Sequence, residues 1–298
     1  MNLIVSTIGQ GILWGILALG VFLTFRILKF PDMTIEGTFP LGASLCVSAL
    51  THGISPLLAT LLGFLGGLAA GLITGLLYTK GKIPILLAGI LTMTALYSIN
   101  LRILGKATVG LLNIPTLFAT FPFLKQTPLF QTIILAILLA GILVLGTALF
   151  LNTQLGQAFI ATGDNEQMAL ALGINSDNMK ILGLMLSNGL IGLTGALVAQ
   201  NNGYADVNMG IGTIVIGLAA IIIGEVVYGQ LSLSARLCAV IFGSILYRLV
   251  LLGVLQLGFN TNDFKLISSI ILASCLMLPL FKDKFNLVEI LKKGVQKP

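Results

Sequence analysis

Nine runs of roughly twenty mostly apolar residues follow one another along this chain, each long enough to cross a hydrocarbon core. They fall at 7–25, 34–51, 55–79, 83–104, 128–151, 179–200, 210–228, 236–257 and 265–281. A backbone inside lipid must satisfy its own hydrogen bonds, so such runs fold as helices. Only 9% of the 298 residues are charged, where a soluble domain carries about a quarter. The chain is therefore read as an all-α polytopic membrane protein, a single transmembrane domain over residues 1–298 with no sizeable soluble part. The N-terminus lacks the positive region of a signal peptide and leads straight into the first run.

Charge sets the expected orientation. With residues 154–180 and the chain end inside, eleven Lys and Arg face inward, among them Arg26, Lys29, Lys80, Lys180 and Arg236. Four, Arg102, Lys106, Lys125 and Lys265, face outward. The positive-inside bias then predicts a cytoplasmic tail over 282–298 and, with nine spans, an external N-terminus. Two outer segments, 105–127 and 201–209, are expected as short helices meeting a partner or as interfacial loops.

Residues 154–180 are the one polar interruption in this apolar series. Asp164 followed by Gln167 has the spacing of a capping box, and Glu166 adds negative charge where a helix dipole favours it. Met168, Ala169 and Leu172 form a small apolar stripe, Asn165 lies within the first turn, and Gly173 is placed to stop the helix in a left-handed cap. Asp177 is placed to begin the next span. The segment predicts two helical turns lying crosswise inside the cell, too short to persist alone and offering an apolar stripe to a soluble partner.

Several chemistries are excluded. No G-x-x-x-x-G-K-[ST] loop occurs, since Gly105-Lys106 has Asn100 where glycine is required and Ala107 after it, so nucleotide must be handled on another chain. His52 is the only histidine, and Cys46, Cys238 and Cys275 have no metal-ligand spacing. No catalytic residue, metal or cofactor is expected. The net charge of +6 is scattered, which suits anionic lipid rather than nucleic acid.

Here the sequence resembles a known family, the permease subunits of binding-protein-dependent ABC importers of the branched-chain amino-acid and ribose type. The resemblance rests on GDNEQMALALGINSDNMK followed by LSNGLIGLTGALVAQ, on LKFPDMTIEGTFPLGASLCVSAL, and on GLAAIIIGEVVYGQLSLSARLCAVIFGSILYRLVLL. FPDMTIEGTFPLGA and ILYRLVLL look closer to a subgroup that works with lipoprotein-type binding proteins, some associated with tryptophan or other aromatic amino acids. The resemblance implies a bacterial cytoplasmic membrane and a cytoplasmic coupling helix seated in an ATP-binding cassette ATPase subunit. It also implies an extracytoplasmic solute-binding lipoprotein, a second permease subunit forming a homo- or heterodimer, and a small solute, an amino acid, with a sugar or nucleoside as the alternative.

Polar residues inside the runs mark candidate path positions, because intramembrane charge is costly. Arg248 lies twelve residues beyond Arg236 and calls for an acceptor, Glu36 or Glu225; a packing ion pair competes with a solute contact. Glu36 stands with Thr34 and Thr38 where Gly37, Pro40 and Gly42 interrupt a helix, a pattern found along translocation routes. Thr94, Tyr97 and Ser98 share a face, and Asn188 lies in the sixth run; helix-bonding glue competes with a path role for these. Gly63, Gly67, Gly71 and Gly75 recur every four residues as a close-packing stripe whose partner the sequence leaves open. An ion-coupled secondary transporter remains the rival class. It calls for mid-membrane carboxylates in two matching halves, whereas Glu36 and Glu225 are expected near the inner ends of their spans.

Overall fold

The computed structural model describes residues 2–120, 128–229, 232–256, 266–270 and 272–274. Helix α1 (Asn2–Phe22) runs into a π-helical turn (Leu23–Leu28) and is followed by α2 (Ile35–Thr51), α3 (Pro56–Thr79) and α4 (Ile85–Leu104). Strand β1 (Thr108–Gly110), the short α5 (Leu117–Thr120), α6 (Pro128–Asn152), α7 (Gln154–Asp164) and α8 (Glu166–Ala171) come next. The described chain continues with α9 (Ser176–Asn202), β2 (Tyr204–Asp206), α10 (Thr213–Tyr228) and α11 (Leu233–Gln256).

Among the described residues, six helices (α1, α3, α4, α6, α9 and α11) are long and apolar enough to cross a membrane. Two further predicted spans, α2 with 17 residues and α10 with 16, fall short of that length. Both start deep in the fold rather than at a face. After the π-helical turn, Lys29 takes a left-handed φ of 62°. The chain then re-enters the bundle, and α2 begins only at Ile35. Gly212, at φ 87°, likewise starts α10 after a non-helical return through 207–212. The ninth predicted run lies outside the described residues except for helical stretches at 266–270 and 272–274.

Segment 105–127 contains a short helix, α5, as expected, but its other described part departs from the expectation of helices or plain loops. Parts of the two outer segments, 108–110 and 204–206, pair as an antiparallel ribbon with Val109 opposite Ala205. The ribbon is closed by the Leu111 N–H donating to the Gly203 carbonyl at 2.7 Å and the Val207 N–H to Ala107 at 3.0 Å. Pairing satisfies backbone groups that two separate loops would leave to water. Residues 121–127, the end of the first segment beyond α5, lie outside the described residues.

Helix α9 lies at the centre of the bundle with α1, 72% and 83% of their apolar windows being buried against 17% for α6. Its closest partner is α3, and the glycine stripe of α3 is the contact surface. A Cβ on Gly63 would stand 2.8 Å from the Ala196 Cβ, and one on Gly75 would stand 3.0 Å from the Ile181 Cα. On Gly67 and Gly71 it would run into the Asn188 and Leu184 carbonyl oxygens. The stripe thus packs within this chain, against Gly189 and Gly192 of the facing helix. Close backbone approach through small residues supplies the dispersion that replaces a hydrophobic drive in lipid. Elsewhere Gly11 and Gly15 of α1 receive Ile245 and Ile241 of α11 in the same manner.

Gly71→Leu is expected to separate the pair and lower stability by about 1–3 kcal/mol or more, as overpacking does. Gly146→Leu, where nothing lies within 4 Å of the added carbon, should be tolerated. Thermal unfolding in detergent, followed by size-exclusion profile, distinguishes the two.

Candidate functional site

The polar interruption folds as a crossbar of two helices. Thr153 caps α7 by accepting the Gly156 N–H at 3.2 Å, and Phe159 anchors it, fully buried against Phe150. The sequence signals of the second helix are present with one correction. The cap of α8 is Asn165, whose Oδ1 accepts the Met168 N–H at 3.0 Å. Asp164, expected in that role, is the last residue of α7, and its carboxylate meets Lys29 Nζ at 2.8 Å. A carboxylate at a helix C-terminus opposes the dipole, and Lys29 offsets this. Likewise α9 is capped by Asn175, which accepts the Asn178 N–H at 3.1 Å, and not by Asp177.

Gly173 ends α8 at φ 80°. Its N–H reaches Leu170 O and the Ile174 N–H reaches Ala169 O, both at 3.0 Å, which is a Schellman closure. Ala169 is fully buried, whereas Met168, Leu170 and Leu172 are 48%, 53% and 69% exposed. The stripe expected from sequence therefore splits, with Ala169 facing the bundle and the larger side chains facing away. Gln167 is also exposed. Glu166 ties the helix down by accepting from Lys180 at 2.5 Å and from Ser176 at 3.1 Å. The hydrogen bond from Lys180 holds the Glu166 carboxyl below the usual glutamate range, so this tie is complete at neutral pH and loosens only in acid.

Above the crossbar, five chain segments meet in a buried polar cluster. Asn188 Nδ2 donates to Asp32 Oδ2 at 2.7 Å, and the Thr34 N–H donates to Asp32 Oδ1 at 2.9 Å. The Thr38 hydroxyl donates to Asn188 Oδ1 at 2.7 Å. The Thr34 and Thr74 hydroxyls are 2.9 Å apart, and Thr74 donates to Thr92 at 3.0 Å. All six side chains are at most 3% exposed. Thr34, Thr38 and Asn188 were legible as polar residues in apolar runs. Asp32, Thr74 and Thr92 were not singled out, Asp32 falling between two apolar runs and the two threonines carrying no charge.

Behind the first turn of α2 lies a groove of about 220 Å3, lined by Glu36, Pro40, Met93, Thr94, Tyr97 and Asn100 with residues of the 207–211 loop. Glu36 Oε1 accepts the Gly212 N–H at 2.9 Å, at the start of α10. By helix rise this is about 20 Å from Glu225 and about 22 Å from Thr51 at the far end of α2. Glu36 is thus at mid-depth and not near the inner end, because the chain climbs from Lys29 before α2 starts. Glu225 does lie at the crossbar end, paired with Arg26 at 2.8 Å and Arg236 at 3.1 Å. Ser98 is exposed on α4 outside the groove wall.

The sequence profile described as "branched-chain amino acid transport system / permease component" matches residues 3–276. The chain belongs to this permease family. It is a membrane-spanning subunit of an ABC importer, and ATP hydrolysis resides on a separate subunit. It is 45% identical over 276 residues to the tyrosine transport system permease protein of Clostridioides difficile (strain R20291), covering 93% of this chain and 91% of that one. It is 28% identical over 242 residues to the autoinducer 2 import system permease protein LsrC of Yersinia enterocolitica, covering 78% of this chain and 63% of that one. Its fold is similar to that of a metal-chelate type ABC transporter solved in an inward-facing conformation. That match has TM-score 0.55 at 15% identity and covers 93% of this chain and 85% of that one.

In this permease Arg248 finds neither of its expected acceptors. Glu36 points to the groove, and Glu225 is a full helix half-length below. The guanidinium instead stacks over Trp14, 4.5 Å from the ring centroid, with Gln10 Oε1 at 3.4 Å. It fastens α11 to α1, a cation–π contact in place of an ion pair. The three path candidates on α2 and α9 converge, Thr94 and Glu36 share the groove, and Ser98 and Arg248 stand apart from both.

Asn188→Leu removes the donor to Asp32 Oδ2 and leaves the Thr38 hydroxyl only the Thr34 carbonyl, and the permease should lose about 1–3 kcal/mol. The double variant with Asp32→Leu should lose less than the two single losses added together. A double-mutant cycle of thermal unfolding measures the difference; strict additivity would separate the two residues energetically.

Proposed function

We propose that this permease carries an amino acid with an aromatic side chain across a bacterial cytoplasmic membrane. Solute arrives from an extracytoplasmic binding lipoprotein and crosses between two permease subunits, identical or related. The single domain spans residues 1–298 with nine membrane helices, the ninth over 265–281. The N-terminus lies outside, and the coupling loop 154–180 and tail 282–298 lie inside. Support for this orientation comes from Arg26, Lys29, Lys80, Lys82 and Lys180, which gather at the crossbar end. Support for the cargo comes from the tyrosine transport relative at 45% identity.

The observation that carries the mechanism is the exposed Met168–Leu172 surface on a helix fixed at its other side. Ala169, the Glu166–Lys180 pair and the Lys29–Asp164 pair bind the crossbar to α9 and to the end of α1. When ATP draws two cytoplasmic subunits together, an apolar knob seated in each transmits the movement to those helices. Asp164, Asn165, Glu166 and Gln167 border the knob, and Gly173 sets its end. Thr34, Glu36, Thr38, Thr94, Ser98, Asn188 and Arg248 remain the proposed positions along or beside the route.

The complete transporter in proteoliposomes should take up labelled L-tyrosine with ATP and binding protein, in preference to ribose or a nucleoside. Met168→Asp with Leu172→Asp should abolish binding-protein-stimulated ATP hydrolysis while the permease elutes as a folded species. Undiminished stimulation in that variant would refute the coupling assignment.

A further inference from the structure

We propose that the mid-depth groove behind α2 is a binding station for the ammonium end of the cargo. This rests on the reading of the chain as an amino-acid permease and assigns to one site the group that is recognised. Asn100 provides the first argument. It is fully buried, and its Nδ2 donates to the Gly37 carbonyl at 3.2 Å. That bond fixes the amide orientation, because the flipped form would set two oxygens against each other. Its Oδ1 has no hydrogen-bond partner among the described residues and is closed off from solvent, on a residue that lines the groove. A buried acceptor left without a donor is costly, and a ligand that donates there removes the cost.

Glu36 provides the second argument. It lines the same groove from α2, half-buried, its carboxylate set at mid-depth by the N-terminal amide of α10 and by its own place in the first turn of α2. Negative charge at a helix N-terminus is favourable, and Glu36 stands at two such ends, those of α2 and α10. A carboxylate at mid-membrane faces protein or an aqueous route rather than lipid. Among the described residues, no Lys or Arg lines the groove. A carboxylate in the lining, with an unsatisfied amide oxygen close beneath the surface, selects a cationic donor, which an ammonium is. Pro40, Met93, Tyr97, Val207 and Ile211 complete the walls. They suit an apolar or aromatic body, with the Tyr97 ring available to the charge as well. A carboxylate-only solute or a sugar phosphate would meet Glu36 unfavourably.

The test uses the complete transporter in lipid nanodiscs, with Thr94→Cys placed in the groove. Cys46→Ala, Cys238→Ser and Cys275→Ser clear the background. A cationic methanethiosulfonate (the aminoethyl reagent) should label Cys at this position about tenfold faster than the anionic sulfonatoethyl reagent, as a negatively lined cleft focuses cations. Adding Glu36→Gln should remove that preference. Equal rates for the two reagents, or no reaction with either, would overturn the site. L-Tyrosine should slow the labelling several-fold, and its des-amino analogue 3-(4-hydroxyphenyl)propionate should not. Equal protection by both would overturn the ammonium assignment. Cation-selective labelling with no protection by L-tyrosine would instead sink tyrosine as the cargo and leave the station standing.

Discussion

Everything in this permease is arranged around the backbone contact of α3 with α9. In water two helices are pressed together by their apolar faces, but in lipid the surrounding tails are as apolar as leucine. What remains is dispersion between atoms at close range, each worth little and many needed. Gly63, Gly67, Gly71 and Gly75 bring the α3 backbone onto the carbonyls of Leu184, Asn188 and Gly192. With its central helix so fixed, α9 can present Asn188 inward at one height and its first turn to the crossbar at the other.

The polar cluster uses that fixed height. Asp32 and Asn188 are 156 positions apart in sequence yet hydrogen-bonded. Buried polar groups demand full pairing, and a network that satisfies them defines one arrangement of the helices that contribute. The elbow between α1 and α2 is thereby pinned to α9 three residues after Lys29, which is itself paired with Asp164 of α7. The crossbar and the mid-membrane interior are connected through a chain of short polar contacts. Movement of α7 and α8 therefore bears on the start of α2, where Glu36 faces the groove.

Short helices are the other consequence. Both α2 and α10 begin at mid-depth, so their N-terminal amides are inside the bundle, where water does not reach freely. The Gly212 N–H is satisfied by Glu36, which joins the two helix starts. Broken helices of this sort are tolerated in membranes only where protein or a cavity surrounds the irregular backbone. The groove and the cluster occupy the two sides of that irregular region.

The sequence alone determined the class, the apolar runs, the charge bias and the two-turn crossbar helix with its glycine stop. These are written in composition and local spacing, over stretches no longer than one helix. Even there, Asn165 took the cap, and Asp164 paired with Lys29, 135 positions away in the chain. Only the tertiary structure decided that the glycine stripe packs on α9, that Glu36 sits at mid-depth, and that Arg248 rests on Trp14. It also decided that Asp32 joins Asn188 and that 108–110 pairs with 204–206. Those outcomes depend on which distant segments lie side by side, and a hydroxyl, an amide or a glycine carries no mark in sequence of the partner it will meet.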